Sequence, residues 1–588
     1  MCGIVGYVGT DNTKDIIIKG LKNLEYRGYD SSGVSFIKNN KLITKKEVGS
    51  VSNLEKTLKT IDFSNIAIAH TRWATHGAPS KKNAHPHTSG KWSVVHNGII
   101  ENANMLKSTI HKHTFKSDTD TEVIVALLDY VSTCEKDNMH ALIKTCNLLQ
   151  GSFALACINA QKSNEIYVAR NQSPLYIALS NSGAFITSDL SLLENKTSTY
   201  YSLDNFEFAT ITPDKATFYN KNGKLIEKHA KNLILSNISS ELKDYKHFMV
   251  KEIHDIPLSL TNTFEALNQS SFLENIDLKN INEVHLFGCG TAYHTAKMGA
   301  LFIQSLINIP AYAHIASEYN DMTHLIKNDA LYVFISQSGE TSDTLNAMHT
   351  VQSHTKSVVI TNVHHSTMAL ESDFLIPIEA GKEISVASTK AYNTLNLAVL
   401  MLTHKIALAK NKALEKLDLN TITKAIKEIL DNEIAIESLA DITLKYNKVF
   451  FIGRKYDYIT AMEGSLKLKE ITYINSSAFP AGELKHGTLA LVDKKTLIVL
   501  IATDEQTKSK MESALNEVKA RGAKTLVVTN LNIKQGLSDY IFKLPKLDTI
   551  STQLVSSIPL QLLAYYVSIK KEINPDKPKN LAKSVTVE

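Results

Sequence analysis

The sequence predicts an α+β domain built on antiparallel sheets over about the first 240 residues, followed by two copies of a doubly wound α/β domain. Three observations predict this. The chain has 588 residues, which at roughly 150 residues per domain allows about three to five domains. Its first part consists of short strand-like runs broken by polar turns. Its second part repeats itself, with strand-like and helical runs in alternation.

The first part carries both tryptophans, Trp73 and Trp92, and four of the five cysteines. Strands are predicted over 3–8, 33–37, 66–70, 92–96, 152–159 and 166–169, each bounded by turn formers. Apolar residues at helical spacing predict helices over 15–24 and 122–131. The polar stretch 237–246 reads as a linker.

In the second part, residues 282–318 match 447–483 at a shift of 165, with 12 of 37 positions identical. Gly288/Gly453, Tyr293/Tyr458 and Gly299/Gly464 are among them. Such self-similarity signals duplication. The match resumes at 359–362 with 527–530, and at Ser372-Asp373 with Ser538-Asp539. Short continuous apolar strands at 284–287, 331–335, 358–361 and 374–378 alternate with helices in the first copy. This is the pattern of a parallel sheet covered on both faces. Ligands on such sheets bind beyond the carboxyl ends of the strands. Ile422, Ile426, Ile429 and Leu430 follow helical spacing, so an amphipathic helix joins the copies.

Composition narrows the function classes. Apolar residues make up 43% and charged residues 21%, as in ordinary globular chains. The net charge is +5 without a block of like charge, so neither a nucleic-acid arm nor a membrane-binding helix is expected. No apolar run reaches 18 residues, the length of a membrane span. The five cysteines are odd in number and form no CxxC pair. That points to a reducing compartment, the cytoplasm, without a disulfide scaffold or zinc site. The start lacks the basic region of a signal peptide. Only five arginines stand against 59 lysines: Arg27, Arg72, Arg170, Arg454 and Arg521. They are expected where a planar fork is needed and a point charge fails.

After the strand at 331–335 comes Ser336-Gln-Ser-Gly-Glu-Thr341, then a helix from Asp343. Hydroxyls, backbone N–H groups and a helix N-terminus suit a phosphate. The same turn also reads as a hydrogen-bonded loop with an N-cap. Gly288-Cys-Gly-Thr-Ala292 is a second small-residue turn after a strand. With these two turns the second part resembles the sugar isomerase (SIS) domain family. That resemblance implies a phosphorylated sugar held by Cys289, Gly290, Thr291, Ser336, Gln337, Ser338 and Thr341, with Val386, Ala387 and Ser388. Ala292 departs from the serine usual there. In the second copy at the same shift, Ser338 faces Thr503 and Gly339 faces Asp504, so most donors are missing and one sugar phosphate per chain is expected.

Cys2 follows the initiator Met. Removal of Met1 would leave a thiol beside an α-amine of pKa about 8, a nucleophile beside a base. Four polar, glycine-rich motifs surround it: 25–31, His70-Thr-Arg-Trp-Ala-Thr-His-Gly77, His96-Asn-Gly98 and 117–122. A glutamine substrate needs a fork for its α-carboxylate and a carboxylate for its α-ammonium, which Arg72 and Asp120 can supply. Asn97 and Gly98 can donate to an oxyanion. The histidines match no common zinc spacing and read as core or solvated groups. This part resembles the class II glutamine amidotransferase domain, an N-terminal-nucleophile (αββα) hydrolase. The resemblance implies that Cys2 is the nucleophile and that Arg72, Thr75, His76 and Asp120 hold glutamine. It further implies that Asn97 and Gly98 stabilise the oxyanion and that Trp73 gates an ammonia channel.

From end to end the chain resembles amidotransferases that join a class II glutaminase to two SIS domains, in the shorter bacterial arrangement. The implied reaction moves the amide nitrogen of glutamine to fructose 6-phosphate, giving glucosamine 6-phosphate and glutamate. By resemblance Lys583 forms a Schiff base, Glu470 moves a proton between C1 and C2, His486 opens the sugar ring and Lys467 assists. Thr488 stands where a proline is usual. The expected domains are glutaminase 2–236, a linker and lead-in helix 237–280, a first SIS domain 281–415, a helical connector 416–446, a second SIS domain 447–575 and a catalytic tail 576–588. No cofactor or metal is expected, and a homodimer with a shared active site is. Another class II amidotransferase and a sugar-phosphate-binding regulator are the alternatives.

Overall fold

The computed structural model describes all residues except 1, 74–76, 111–112, 195, 234–241, 243, 270–271, 273–275, 320–325 and 587–588. The chain forms two compact units, one of residues 1–235 with 584–588 and one of residues 236–583.

The first unit holds two antiparallel sheets. The eight-stranded sheet runs Lys231–Asn232, Thr199–Ser202, Tyr176–Ser180, Gly183–Thr187, Gly3–Gly9, Ile66–Arg72, Ser31–Lys38, Lys41–Val48. The seven-stranded sheet runs Leu225–Ile226, Ala216–Tyr219, Glu207–Ile211, Ile166–Asn171, Gly151–Asn159, Trp92–Ile100, His87–Ser89. Alternating side chains of central strands point to opposite faces, and the buried clusters follow that alternation. Ile4, Val8, Ile66 and Ile68 of one sheet pack on Val95, Ala154, Ala156 and Val168 of the other. Val5, Tyr7, Ala67 and Ala69 pack outward on Ile17, Leu21 and Leu24 of the helix Thr13–Leu24. Val94, Leu155 and Cys157 pack outward on Ile124, Leu128 and Leu142 of the helices Asp120–Ser132 and Asn138–Cys146. Four layers result, helix–sheet–sheet–helix.

The second unit holds two five-stranded parallel sheets in the same order, with the second strand at the edge and the first beside it. The first sheet runs Ala311–Ile315, Glu283–Gly288, Ala330–Ile335, Ser357–Thr361, Phe374–Pro377. The second runs Asn475–Pro480, Lys448–Gly453, Thr496–Ala502, Lys524–Thr529, Tyr540–Lys543. One face of each sheet enters a single common core: Val284, Leu286, Val333 and Ile335 share it with Val449, Phe451, Val499 and Ile501. The other faces have separate cores, around Phe287 and Phe334 in one copy and Phe450 and Ile452 in the other. The stretch expected as linker and lead-in helix contains two helices, Phe248–His254 and Ile256–Gln269, whose Met249, Ile253 and Leu260 enter the common core. The connector is the helices Leu419–Asp431 and Glu433–Thr443, with Ile422, Ile426 and Ile429 buried.

Strand pairing corrects the repeat's register beyond the first two strands. Phe287 pairs with Phe334, and its counterpart Ile452 pairs with Leu500. The separation is 47 residues in one copy and 48 in the other, so the shift becomes 166 at this third strand; it is 168 at the fourth, where Val359 and Val527 pair with Phe334 and Leu500, and 166 at the fifth, where Phe374 and Tyr540 pair with Val358 and Leu526. Ser338 therefore corresponds to Asp504 rather than Thr503, and Thr341 to Thr507, each the residue before a helix. Both copies close their sheets alike: Asp373 accepts from the backbone and hydroxyl of Ser357, and Asp539 does the same for Thr525.

Candidate active sites

In the first unit the register itself brings the candidate nucleophile to its cation. Gly3 pairs with Thr71 across antiparallel strands, so Cys2, one step earlier, faces Arg72, one step later. The Cys2 thiol donates to the Trp73 carbonyl at 3.7 Å. Burial pushes its pKa up, and the Arg72 charge opposes that shift. Arg72 is 3% exposed and donates through Nη2 to the Gly77 carbonyl at 3.0 Å. Asp120, the first residue of its helix, accepts from the Ile100 N–H at 2.8 Å and acts electrostatically on the Cys2 thiol.

Asn97 is oriented from behind. His70 Nε2 lies 2.9 Å from the His96 carbonyl and 3.0 Å from Asn97 Oδ1, both acceptors, so Nε2 carries the proton. Burial drives the His70 pKa down to about 3 and keeps the ring neutral. With its Oδ1 engaged, the Asn97 amide NH2 points at Cys2, donating to the Cys2 carbonyl at 3.2 Å. Gly98 sits at φ +136, and a Cβ there would stand 2.0 Å from the Ser152 carbonyl. His85 stacks on His70 with ring centroids 4.2 Å apart, and burial holds His85 and His87 well below the ordinary histidine range. These histidines are neutral core groups. No cluster of three or more potential metal-ligating side chains occurs among the described residues. Behind the strand Gly3–Gly9, Arg27 pairs with Asp189 at 3.0 Å and donates to the Ser188 carbonyl at 2.9 Å, while Ser188 Oγ accepts from the Ile4 N–H at 3.0 Å. Trp73 is half-buried. Thr75 and His76 lie outside the described residues.

In the second unit the candidate phosphate loop is preorganised by its own hydroxyls. Ser336 Oγ lies 2.9 Å from Thr341 Oγ1 and accepts from the Gly339 N–H at 3.0 Å. Ser338 Oγ accepts from the Glu340 N–H at 3.2 Å, and the Gln337 carbonyl accepts from the Asn362 N–H at 3.2 Å. Gly339 takes φ +62, and a Cβ there would meet Ser366 Oγ at 1.9 Å. In the neighbouring turn the Cys289 thiol lies 3.7 Å from Thr344 Oγ1. Gly290 takes φ 55 and ψ −124, a region open to glycine at no steric cost.

Thr291 ties this turn to the helix Tyr456–Thr472 of the other copy. Its hydroxyl donates to Glu463 and accepts from Lys467, each at 3.1 Å. Lys467 is fully buried between Glu463 at 3.3 Å and Glu470 at 2.8 Å. Burial alone would lower its pKa, but the two carboxylates outweigh burial and hold it above the ordinary lysine value.

The tail is anchored. The Asp576 carboxylate accepts from the Phe248 and Met249 N–H groups, each at 2.8 Å, and its carbonyl from the Val386 N–H at 3.2 Å. Lys583 is 4% exposed in its side chain and forms an ion pair with the fully buried Glu383. Ser388 donates to the same Glu383 oxygen at 3.0 Å. Thr389 and Ala391 N–H groups at the start of the helix Lys390–Ala409 hold the other oxygen. Burial raises the Glu383 pKa, but Lys583 and these donors outweigh it and keep the carboxylate ionised. Ala387 is buried in the same turn and Val386 nearly so. Glu383 also acts on Lys467, so the loops, Lys467, Glu470 and Lys583 lie in one neighbourhood. His486 does not join it. It is exposed, on the turn Ala481–His486, without a hydrogen bond or ion pair among the described residues. Sequence reasoning missed Glu383 and Glu463. The spacing of Glu463 four residues before Lys467 was a visible signal. Glu383 carried none.

The second copy's loop is occupied from within. Asp457, at the position of Ala292, is fully buried. It accepts from the Thr503 N–H at 2.8 Å and from the Thr503 hydroxyl. Burial pushes its pKa up to about 6. A side-chain carboxylate thus takes the donors of that loop. Lys455, at the position of Gly290, holds φ 49 and ψ −122, a strained conformation for an L-residue that costs on the order of 1–3 kcal/mol.

Comparison with known proteins matches two families. The SIS domain family matches residues 277–405 and 444–571, and the glutamine amidotransferase domain family matches 70–195. The glutamine–fructose-6-phosphate aminotransferases (isomerizing) of Clostridium acetobutylicum and Caldanaerobacter subterraneus subsp. tengcongensis are 39% and 41% identical, each over 100% of both chains. The C-terminal domain of glucosamine-fructose-6-phosphate aminotransferase from Francisella tularensis superposes with a TM-score of 0.54 at 34% identity, covering 57% of this chain and 100% of that one.

Proposed function

This chain belongs to the family of glutamine–fructose-6-phosphate aminotransferases (isomerizing), and from that premise we propose how its residues divide the reaction. The enzyme transfers the amide nitrogen of glutamine to fructose 6-phosphate with isomerisation, releasing glutamate and glucosamine 6-phosphate. In the first unit Cys2 attacks the glutamine amide carbon, Asn97 and Gly98 donate to the oxyanion, and ammonia leaves. Water then hydrolyses the thioester to glutamate. Arg72 and Asp120 hold the amino-acid end of glutamine, with Thr75 and His76, and Trp73 gates the passage of ammonia.

In the second unit the loops 289–291 and 336–341 hold the phosphate, and 386–388 the sugar. His486 opens the ring. Lys583 passes its extra proton to the Glu383 carboxylate, the freed amine condenses with the C2 ketone, losing water, and ammonia displaces the lysine to leave an imine at C2. Glu470 takes a proton from C1 and a proton returns at C2, giving the C1 aldehyde and the C2 amine. Lys467 remains a cation and steadies charge on the substrate oxygens. The observation that carries this assignment is the placing of Lys583 and Ser388 on one Glu383 carboxylate oxygen, beside a buried cationic Lys467. Incubation with glutamine and fructose 6-phosphate, followed by a hexosamine assay, tests the reaction. An inactive protein would favour the regulator reading.

The sugar phosphate occupies the first copy alone. Titration calorimetry with a non-reacting hexose 6-phosphate is expected to show one site per chain. Ser338→Ala is expected to weaken it about tenfold or more, the loss of one hydrogen bond to a charged group. Two equal sites, or binding indifferent to Ser338→Ala, would remove the assignment.

The exposed His486 supports a homodimer in which each subunit completes the other's site, and the odd cysteine count without a CxxC pair supports the cytoplasm. Mixing His486→Ala and Lys583→Arg subunits under exchange is expected to restore part of the activity that each lacks. No restoration would confine His486 to its own subunit's site.

A further inference from the structure

Away from the sugar site, the second unit holds an open cavity of about 860 Å³, near the upper end of the range for small-molecule pockets. It lies at the carboxyl ends of the second sheet, between the loops that follow Lys448–Gly453, Asn475–Pro480 and Thr496–Ala502. The strand order reverses there, which is where open α/β sheets bind ligands. The helix Thr291–Phe302 of the first copy walls it on the far side, just as the helix Tyr456–Thr472 of the second copy meets the sugar site.

Its lining is cationic. Lys297, Arg454, Lys455 and Lys510 face it, against the one carboxylate of Glu483. Neither the Arg454 nor the Lys510 side chain has a hydrogen bond or ion pair among the described residues, and Arg454 Nε is buried without an acceptor. A buried donor left unmade is costly unless something supplies the acceptor. Lys297 has a ring contact, 5.6 Å over Tyr293. Lys455 keeps its strained backbone and bonds Gln506 at 3.0 Å and Asp504 at 3.5 Å. The helix Lys508–Lys519 starts at the cavity without a side-chain cap, adding partial positive charge. His314 contributes none, because burial lowers its pKa to about 4.

We infer that this cavity is a second anion site, separate from the sugar site, and that it takes a diphosphate ester. The loop that would anchor a monoester, as in the first copy, is taken by Asp457. The cations without a carboxylate partner among the described residues instead sit on three different elements, the helix of Lys297, the turn of Arg454 and the helix of Lys510, so they match charge spread over two linked phosphates. Tyr312, 48% exposed, offers a ring face for the rest of the ester.

The test is titration calorimetry of the full chain with inorganic pyrophosphate. One pyrophosphate per chain is expected. Arg454→Ala and Lys510→Ala are each expected to weaken it about tenfold or more, and Ser338→Ala is expected to leave it unchanged. Orthophosphate is expected to bind more weakly, and ADP to compete for the same site. Lys510 is exposed, so its variant keeps the test valid if Arg454→Ala misfolds. Absence of pyrophosphate binding at millimolar concentration would overturn the proposal. So would binding untouched by Lys510→Ala, binding lost in Ser338→Ala, or failure of ADP to compete.

Discussion

Cys2→Ala is expected to lower glutamine hydrolysis by roughly 10⁴-fold or more, while conversion of fructose 6-phosphate to glucose 6-phosphate persists. The thiol is placed opposite Arg72 by strand register and reached by the Asn97 carboxamide, and no other cysteine has such surroundings. Burial raises the pKa of Cys146 and Cys157 far above the ordinary thiol value. Cys134 is exposed at the end of its helix, and Cys289 belongs to the other unit. Burial also raises the Cys2 thiol, so attack on glutamine needs a base to take its proton. The α-amine exposed by removal of Met1 has a suitable ordinary pKa, about 8. Alanine removes the sulfur and leaves the strand Gly3–Gly9 with both neighbours, so the fold is retained. Glutaminase activity surviving in Cys2→Ala would refute the nucleophile assignment. Loss of the isomerase activity as well would refute the separation of the two chemistries.

The duplicated second part was legible because identities at a fixed shift survive wherever the backbone needs them, as at Gly288/Gly453 and Gly299/Gly464. Cβ atoms at Gly288 and Gly453 would meet Ala292 and Asp457 backbone at 2.6 and 2.3 Å. The register of the phosphate loop was not legible. The downstream matches, at shifts of 168 and 166, show that the spacing changes, but only the pairing of Phe334 with Phe287 and of Leu500 with Ile452 places a one-residue insertion before the third strand. The strand predictions for the first unit found Gly3–Gly9, Ile66–Arg72 and four others, but missed the interior Tyr176–Ser180 and Gly183–Thr187, the eight-residue edge strand Lys41–Val48, and outer strands as short as Leu225–Ile226 and Lys231–Asn232. Two residues show too little periodicity to read. Among site residues, Cys2, Arg72 and Asn97 sat in motifs. Glu383 lies in a turn 200 residues from Lys583, and its role comes from burial and tertiary contact, neither of which is written locally. The order of the tail is likewise not written locally. A terminus ordinarily frays, yet Asp576 caps a helix and Lys583 is buried.

That burial decides how the Schiff-base assignment must be tested. Truncating after Asn580, or Lys583→Ala, would strand the fully buried Glu383 carboxylate without its cation. Breaking a buried pair in this way costs about 3–5 kcal/mol, so lost activity would not separate chemistry from misfolding. Lys583→Arg avoids the ambiguity. Arginine keeps the positive charge and offers Glu383 a two-pronged hydrogen bond, while its guanidinium lacks the free amine that condenses with a ketone. Hexosamine synthesis is expected to fall by roughly 10⁴-fold or more, with glutamine hydrolysis and the melting transition close to those of the unaltered chain. The rival amine is Lys467, but two carboxylates, Glu463 and Glu470, hold it as a cation above the ordinary lysine value, whereas Lys583 faces the single carboxylate of Glu383, which can take its proton and free the lone pair that attacks C2. Borohydride reduction in the presence of fructose 6-phosphate is therefore expected to add the sugar's mass to the peptide containing Lys583. The label should be absent in Lys583→Arg. A label on Lys467, or hexosamine synthesis retained by Lys583→Arg, would move the Schiff base away from the tail and reduce the Lys583–Glu383 pair to an anchor.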